Sequence, residues 1–488
     1  MKFRAPRGNN EVLAEPGLEA LPGLVDANRE TLNRSKLQVG GLALQELRAL
    51  ARREALDESA QYLRGQSPAI TATGLSTPLV LAGHQPELSH PGVWVKHFAL
   101  HGLARRIGGA SLNLVVDNDT LKSTSLRVPT WDNAPSHVRS QAVAFDSFAG
   151  EVPYESRGVR DSMLFATFAE RVAILMKPFA DEPLLTKAWK AIVANPAATI
   201  GEKFASVRRQ FERDWGCHNL ELPVSRLART EAFARFASHI LEDRRHFRAV
   251  YNRSVQTYRD RHGLRSRSHP VPDLAENEVP FWGEMGRDGR RGRVTGSPDP
   301  RTLRPRALTL TLFARVCLGD FFLHGIGGGT YDEVTDAIIR GYFHLEPPAF
   351  QVLSATLHLP LPTWPATMAD VKRQERLVRD LRWNPQRHLA VANLDRSDVQ
   401  GLCGKKAALI ASEPPYPDHE ARKEWYRRLC EVNEALRYHV SPQVAPARTS
   451  LARSEQETAA NAILQRRDYS WVLYPEAMLR DFCQRFLA

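Results

Sequence analysis

Short apolar runs separated by polar loops fill most of the chain, and long polar helical periodicities replace them towards the C-terminus. The run Leu79–Ala82 has the length of a buried parallel strand and is closed by Gly83. A polar loop, HQPELSHPG, follows. Over Val93–Ile107 the residues Leu100, Leu103, Ala104 and Ile107 recur at the i, i+3, i+4, i+7 positions of one helical face. Gly108 and Gly109 stop that helix. A second apolar run, Leu112–Val116, ends in Asp117-Asn118-Asp119. The order is strand, loop, helix, strand, a crossover that is right-handed in nearly all sheets.

Elsewhere the pattern predicts a helix over Leu42–Leu56, striped by Leu44, Leu47, Leu50 and Ala51 and packed outside the sheet, then a linker over Gly65–Ser76. Trp131–Ser147 reads as irregular or strand-like. Asp161–Met176 and Leu184–Ala194 read as helices, and Gly201–His262 is helical except for Leu220–Leu227, a strand or a structured connection. Residues from about 130 to 270 form an insertion or lid on the sheet domain. Sheet-like text resumes at Glu278 (EVPFW), Arg291–Thr295, the alternating Ala307–Leu312 and the run Asp320–His324. A glycine loop then leads into a helix, with Thr330 as N-cap and Glu333 three residues on, the spacing of a capping box.

After LPLPTWP the helices Asp370–Trp383, Asp418–Val440 and Leu451–Arg467 follow. Trp425, Leu429, Val432 and Leu436 make the seam of an antiparallel coiled coil or helical hairpin, which forms a homodimer interface or packs on its own protomer. The last stretch, YSWVLYPEAMLRDFCQRFL, docks back on the body. The expected organisation is a helical segment over 1–75, an α/β core over 76–365 carrying the insertion, and a helical or coiled-coil region over 366–488.

With 43% hydrophobic and 25% charged residues, the composition is that of a soluble globular protein. No apolar run approaches the ~20 residues that span a bilayer, and the first residues lack the apolar core of a signal peptide. A cytoplasmic protein without membrane attachment is expected. The five cysteines have neither zinc-knuckle nor CxxC spacing, and Cys317 lies in an apolar run as a core residue. The net charge of +11 fits an anionic substrate or nucleic acid. The arginines are scattered, and the densest cluster, Arg287–Arg293, lies in a glycine-rich loop without interleaved aromatics. General arginine richness explains this charge better than nucleic-acid binding does.

Candidate chemistry gathers at one rim. If the two strands are parallel, the loop carrying His84, Gln85 and His90 faces the Asp117–Asp119 turn at their C-terminal ends, where ligands bind in open α/β sheets. The helix N-terminus near Gly92 directs free N–H groups at the same space. This predicts a site for a small anionic molecule. The Gly327–Gly329 run is not a Walker loop, since no GKS or GKT follows, and alone it is a tight strand–helix turn. Flanked by His324, Tyr331 and Asp332, it is drawn to the same rim.

Three stretches carry a family resemblance. GHQPELSHPGVWVKHFAL resembles a Gly-Gln-Gln loop leading into a Tyr-Lys helix, VVDNDT an acidic strand end, and RPRALTLTLFARVCLGDFFLHGIGGGTYDE an Arg-Pro strand followed by a Gly-Gly-Pro-Gly-Glu loop. All three are features of the bacillithiol biosynthesis cysteine-adding enzymes (BshC). The GHQP loop also resembles the opening of WbqC-like proteins. This chain departs from the family at His84, where the family has glutamine, in its shorter acidic turn, and in a glycine loop without Pro-Gly-Glu. The resemblance implies a Rossmann-like, nucleotidyltransferase-type parallel sheet with a C-terminal coiled coil. It further implies a ligase that joins an amino acid, cysteine in the family, to an amine on a sugar-like acceptor.

Such a reaction needs an activated carboxylate, normally through ATP or another nucleotide, with magnesium left open. In that reading His84, His90 and Lys96 stabilise charge on a phosphate or oxyanion. Asp117 or Asp119 orients an amine or a divalent ion. Arg304 and Arg306 clamp a carboxylate or phosphate, and the Gly327, Gly328 and Gly329 backbone holds the other end of the ligand. Gln85, Asn118, His324, Tyr331 and Asp332 complete the binding set. No metal-ligand set is assigned. His84→Ala and Asp117→Ala are expected to abolish turnover without changing thermal unfolding. The alternatives are a nucleotide- or sugar-handling transferase, a nucleic-acid-binding protein, and a scaffold with a vestigial pocket.

Overall fold

The computed structural model describes residues 3–63, 77–131, 134–148, 150–177, 182–286 and 289–487. The expected linker at Gly65–Ser76 and two residues of the basic cluster, Arg287 and Asp288, lie outside these described residues. The chain divides into two compact units. The first comprises Met1–Val128, Gln141–Pro360 and Arg467–Ala488, and the second comprises Pro129–Ser140 and Leu361–Arg466.

The first unit is built on a six-stranded sheet of β1 (Val12–Glu15), β2 (Leu79–His84), β3 (Ala110–Val115), β4 (Leu220–Pro223), β5 (Phe321–His324) and β6 (Phe350–Ala355). Their order across the sheet is β1-β6-β5-β2-β3-β4. Five strands are parallel, and β1 closes the edge antiparallel to β6. The expected parallel pairing of the first two apolar runs is therefore present, with His84 beside Val115 in register. The chain moves outward from β2 through β3 to β4, then returns to the other side of β2 with β5 and β6. Strand order thus reverses between β2 and β5.

Side-chain alternation along β2 sends Leu79 and Leu81 into a large core shared with Leu112, Leu114 and Leu222. Helices α1 (Leu21–Arg34) and α2 (Leu44–Tyr62) lie in this unit, and α2 adds Leu44, Leu47, Ala51 and Ala55 to that core. Helix α3 (Pro91–Arg106) packs on β2, β3 and β6. There Gly92 is obligatory, because a β-carbon would meet the Ala355 carbonyl oxygen at 1.8 Å. Helices α4 (Ile200–Asp214), α5 (Glu231–Glu242), α6 (Arg244–His262), α7 (Ala307–Leu312) and α8 (Ile326–Tyr342) complete the labelled helices of this unit. A three-stranded sheet is made by Glu278–Met285, Arg291–Thr295 and Arg304–Pro305.

Several expectations are corrected. The 130–270 stretch is not wholly an insertion, because Leu220–Pro223 is a fully buried strand of the main sheet. The N-terminal segment is not purely helical, since it supplies β1. Ala307–Leu312 is a helix continued by a π-turn through Leu318. Leu308, Thr309, Leu310 and Leu312 are all buried there, so the alternation carried no information about period. Helix α8 begins at Ile326 with Gly325 as its cap, and the Thr330 hydroxyl instead bonds back to the Ile326 carbonyl at 2.7 Å. Asp161–Met176 breaks at Thr167 into two helices.

The second unit contains α9 (Met368–Trp383), α10 (Ser397–Ala411), α11 (His419–Tyr438) and α12 (Ser441–Leu464). Helix α11 forms a hairpin with α10, and the Trp425 indole donates to the Leu409 carbonyl at 2.6 Å. Of the seam residues, Leu436 is buried, whereas Trp425, Leu429 and Val432 are half-buried. Helix α12 pairs with α9. The C-terminal stretch belongs to the first unit, where Trp471 packs on Trp94 and the helix Glu476–Gln484 lies along α3. No helix among the described residues is long and apolar enough to cross a membrane.

Candidate functional site

The C-terminal ends of β2, β3, β5 and β6 open into a cavity of about 580 Å³. It lies over the point where strand order reverses, the place where open α/β sheets bind ligands. Leu114, Val116, Phe322 and Leu308 give it apolar walls, and the first turns of α3 and α8 reach it through Gly92 and Gly327.

Lys96, one turn into α3, projects into this cavity and is only 2% exposed. Among the described residues its ammonium has neither a hydrogen-bond partner nor an ion pair. It lies 3.5 Å from the point where a side chain at Gly325 would begin. Gly325 caps α8, so the unpaired N–H groups of that helix's first turn lie beside the ammonium. Burial, only partly offset by Glu87, lowers the Lys96 pKa to about 8. A buried cation beside a helix N-terminus, with no ion pair among the described residues and only Glu87 acting on it from beyond ion-pair distance, is an arrangement that suits an anion.

Further cations line the cavity. Arg291 and Arg306 place their guanidinium carbons 4.9 and 4.3 Å from the Trp282 ring centre. Arg306 also pairs with Glu278 at 2.8 Å, and Arg291 pairs with Asp119 at 3.0 Å. Arg467 donates to the Ser354 hydroxyl at 2.8 Å and to the Ala355 carbonyl at 2.9 Å. The Gln85 amide donates to Asp119 at 2.8 Å. Cations outnumber carboxylates in the lining, with Lys96, Arg291, Arg293, Arg306 and Arg467 against Asp119 and Asp332.

Burial keeps two of the histidines, His84 and His90, from charging readily. Burial, reinforced by Lys96, holds His84 well below its ordinary pKa. Burial and then Arg467 push His90 down to about 4. His84 Nδ1 lies 3.1 Å from the Gln85 carbonyl, which assigns the proton to Nδ1 and leaves Nε2 as acceptor. His90 Nδ1 is buried without a hydrogen-bond partner among the described residues. Neither carries the positive charge expected of an oxyanion stabiliser, although both retain hydrogen-bonding capacity. His324 Nε2 lies 2.6 Å from Asp332, without good hydrogen-bond alignment. Asp332 also accepts from Arg315 at 2.9 Å. Burial raises the Asp332 pKa, but His324 and Arg315 outweigh it and the carboxyl stays below the usual range.

Of the expected site residues, His84, Gln85, His90, Lys96, Asn118, Asp119, Arg306, His324, Gly327, Gly328, Tyr331 and Asp332 all line this cavity. Three do not. Asp117 turns away to cap the turn Val224–Leu227, accepting from the Ser225 N–H at 2.8 Å and from its hydroxyl. Arg304 pairs with buried Glu155 at 3.2 Å. Gly329 packs on Val352, where a β-carbon would sit 2.2 Å from a methyl. Asn118 lines the wall with its amide committed to the Pro305 carbonyl at 2.8 Å.

Trp282, Arg291, Ser354 and Arg467 line the cavity but were not singled out from the sequence. Arg291 sits within the basic cluster, which was the available signal. Arg467, at the end of a polar helix, gave none.

A second group, His97, Glu212 and Glu221, brings potential metal donors within 4.8 Å of one another. Its interior is filled by guanidinium. Arg208 pairs with Glu212 at 2.7 Å and also with Glu221, which takes Arg209 as well. It is a buried ion network. No family model matches the chain, and no curated protein matches it.

Proposed function

We propose that the cleft binds a nucleotide through its phosphates on a Rossmann-like sheet, and that the protein is a ligase joining a carboxylate to an amine. The observation that carries this reading is Lys96, buried at the N-terminus of α8 without an ion pair among the described residues. The strand reversal between β2 and β5 supports it, because doubly wound sheets bind nucleotides at that crevice. Trp282 lies under the Arg291 and Arg306 guanidinium groups and holds these two cations at the cleft by cation–π contact. The bound nucleotide would supply carboxylate activation. Lys96 and the first-turn N–H groups of α8 hold phosphate oxygens, Arg291 and Arg306 neutralise further negative charge, and neutral His84 and His90 offer hydrogen bonds to an oxyanion. The carboxylate substrate in this reading is an amino acid, cysteine in the family that the sequence resembles, and the acceptor is an amino sugar.

Titration calorimetry with ATP, ADP and CTP, with and without magnesium, tests the reading. Binding of at least one nucleotide is expected, weakened at least tenfold in Lys96→Ala, which corresponds to about 1.4 kcal/mol. Equal affinity in the variant, or no binding by the wild type, overturns it. An amide-formation assay with cysteine and glucosamine then tests the ligase assignment.

A further inference from the structure

A second, smaller cavity of about 250 Å³ shares Gln85 and Asp119 with the main cleft. Its polar lining includes Glu87 and Asp119, and its apolar floor is made by Leu88, Phe145 and Phe204. Tyr154 also lines it and is 2% exposed, yet its hydroxyl has no hydrogen-bond partner among the described residues. The hydroxyl is not enclosed by protein, so it opens onto the cavity, where a ligand or water can pair with it. Burial, then Glu87 and Asp119, pushes the phenol upward, so both carboxylates act on the same space. Burial and Asp119 likewise raise the Glu87 carboxyl, with Lys122 and Lys96 offsetting this only in part. Lys122, also in the lining, is exposed.

We propose that this cavity binds a small primary amine, with its ammonium on Glu87, a hydrogen bond to the Tyr154 hydroxyl, and its carbon body on the apolar floor; Asp119, already paired with Arg291 and the Gln85 amide, borders the site. The Glu87 carboxylate and the Tyr154 hydroxyl match an ammonium, which presents three donors. The floor of leucine and phenylalanine favours an organic body over a hydrated ion. The amine's role as co-substrate rests on the ligase reading, in which the acceptor must approach the activated carboxylate. Residues Gln85 and Asp119, which border both cavities, are where the two would meet. Binding of the amine itself does not depend on that reading.

The experiment measures binding of 2-phenylethylamine and its uncharged counterpart 2-phenylethanol to the full chain by calorimetry at pH 7, with ADP titrated in parallel. The amine is expected to bind and the alcohol to bind at least tenfold more weakly. Glu87→Gln, at a side chain 48% exposed, is expected to lose at least tenfold in amine affinity, and Tyr154→Phe about threefold to fivefold, with ADP affinity retained in both. Equal binding of amine and alcohol, unchanged amine affinity in Glu87→Gln, or no amine binding by wild type overturns the proposal. Amine binding with this pattern, together with no binding of ATP, ADP or CTP, upholds the amine site while overturning the nucleotide reading.

Discussion

The ammonium of Lys96 sits 3.5 Å from where a β-carbon of Gly325 would be, so a lysine on one helix and the cap of another share one small space, with burial only partly offset by Glu87. This arrangement is costly to the fold. The Lys96 pKa falls from 10.5 to about 8, and a shift of that size corresponds to about 3 kcal/mol. Because the folded pKa is lowered, the unfolded chain holds more protons between pH 8 and 10.5. The full cost is present below pH 8 and is relieved as pH rises through that window. Lys96→Met is therefore expected to raise unfolding stability at pH 7 by about 1–3 kcal/mol, with the gain shrinking towards pH 10.5, while nucleotide binding is lost. Urea unfolding across this pH range checks it, and a Met variant less stable than wild type at pH 7 contradicts it.

Asp117 behaves differently. Its carboxylate caps Ser225 and does not face the cleft. Asp117→Ala leaves the Ser225 N–H unpaired, and is expected to lower stability by about 1–3 kcal/mol, contrary to the unchanged unfolding that the sequence suggests. Asp117→Asn retains an acceptor oxygen and is expected to lose much less. Denaturant midpoints of the two variants give the comparison; an alanine variant as stable as wild type would remove Asp117 from this structural role.

The glycines separate architecture from site. At Gly92 a β-carbon meets the Ala355 carbonyl oxygen at 1.8 Å, a backbone atom that cannot give way. Gly92→Ala is expected to cost more than about 3 kcal/mol, the range of severe overpacking. A β-carbon at Gly327 meets nothing within 4 Å. Gly327→Ala is expected to match or exceed wild-type stability by about 0.5 kcal/mol and to weaken nucleotide binding by crowding the first turn of α8. Thermal melts and calorimetry read both effects.

What was legible followed from local pattern. The β2–α3–β3 crossover announces itself through apolar runs and glycine stops, and the rim then collects His84, Gln85, His90, Lys96 and Asp119 by topology alone. Direction was not legible. Asp117 and Asp119 are two residues apart, yet one caps a turn after β4 and the other faces the cleft, because only β4 brings Ser225 to Asp117. That strand was hidden in LELPVSRL, too short to distinguish from a connection. Arg304 and Arg306 likewise diverge, because the strand ends at Pro305 and Arg306 is already the N-cap of α7, so Arg304 pairs with Glu155 while Arg306 lies over Trp282. Arg467 reaches the cleft from the far end of the sequence through tertiary packing that no local pattern records.

The buried network around Glu221 yields the last prediction. Glu221 accepts from Arg208 and Arg209, and from Asn113 at 3.0 Å. Glu212 accepts from the Trp94 indole and His97, each at 2.6 Å, and from Arg208 at 2.7 Å. Burial works against both carboxylates, but the arginines outweigh it and hold both below 4.5. Folded pKa values lowered in this way contribute stability above pH 4.5 that is lost on acidification through the folded values. Glu221→Gln removes one carboxylate and leaves Arg208 and Arg209 short of charge, so it is expected to cost about 3–5 kcal/mol at pH 7 and to flatten the acid limb of the stability profile. Because guanidinium groups already fill the space between the donors, zinc and EDTA are each expected to leave the wild-type melting temperature unchanged. A rise in melting temperature with zinc that disappears in Glu221→Gln would identify a metal site there and overturn the ion-network assignment.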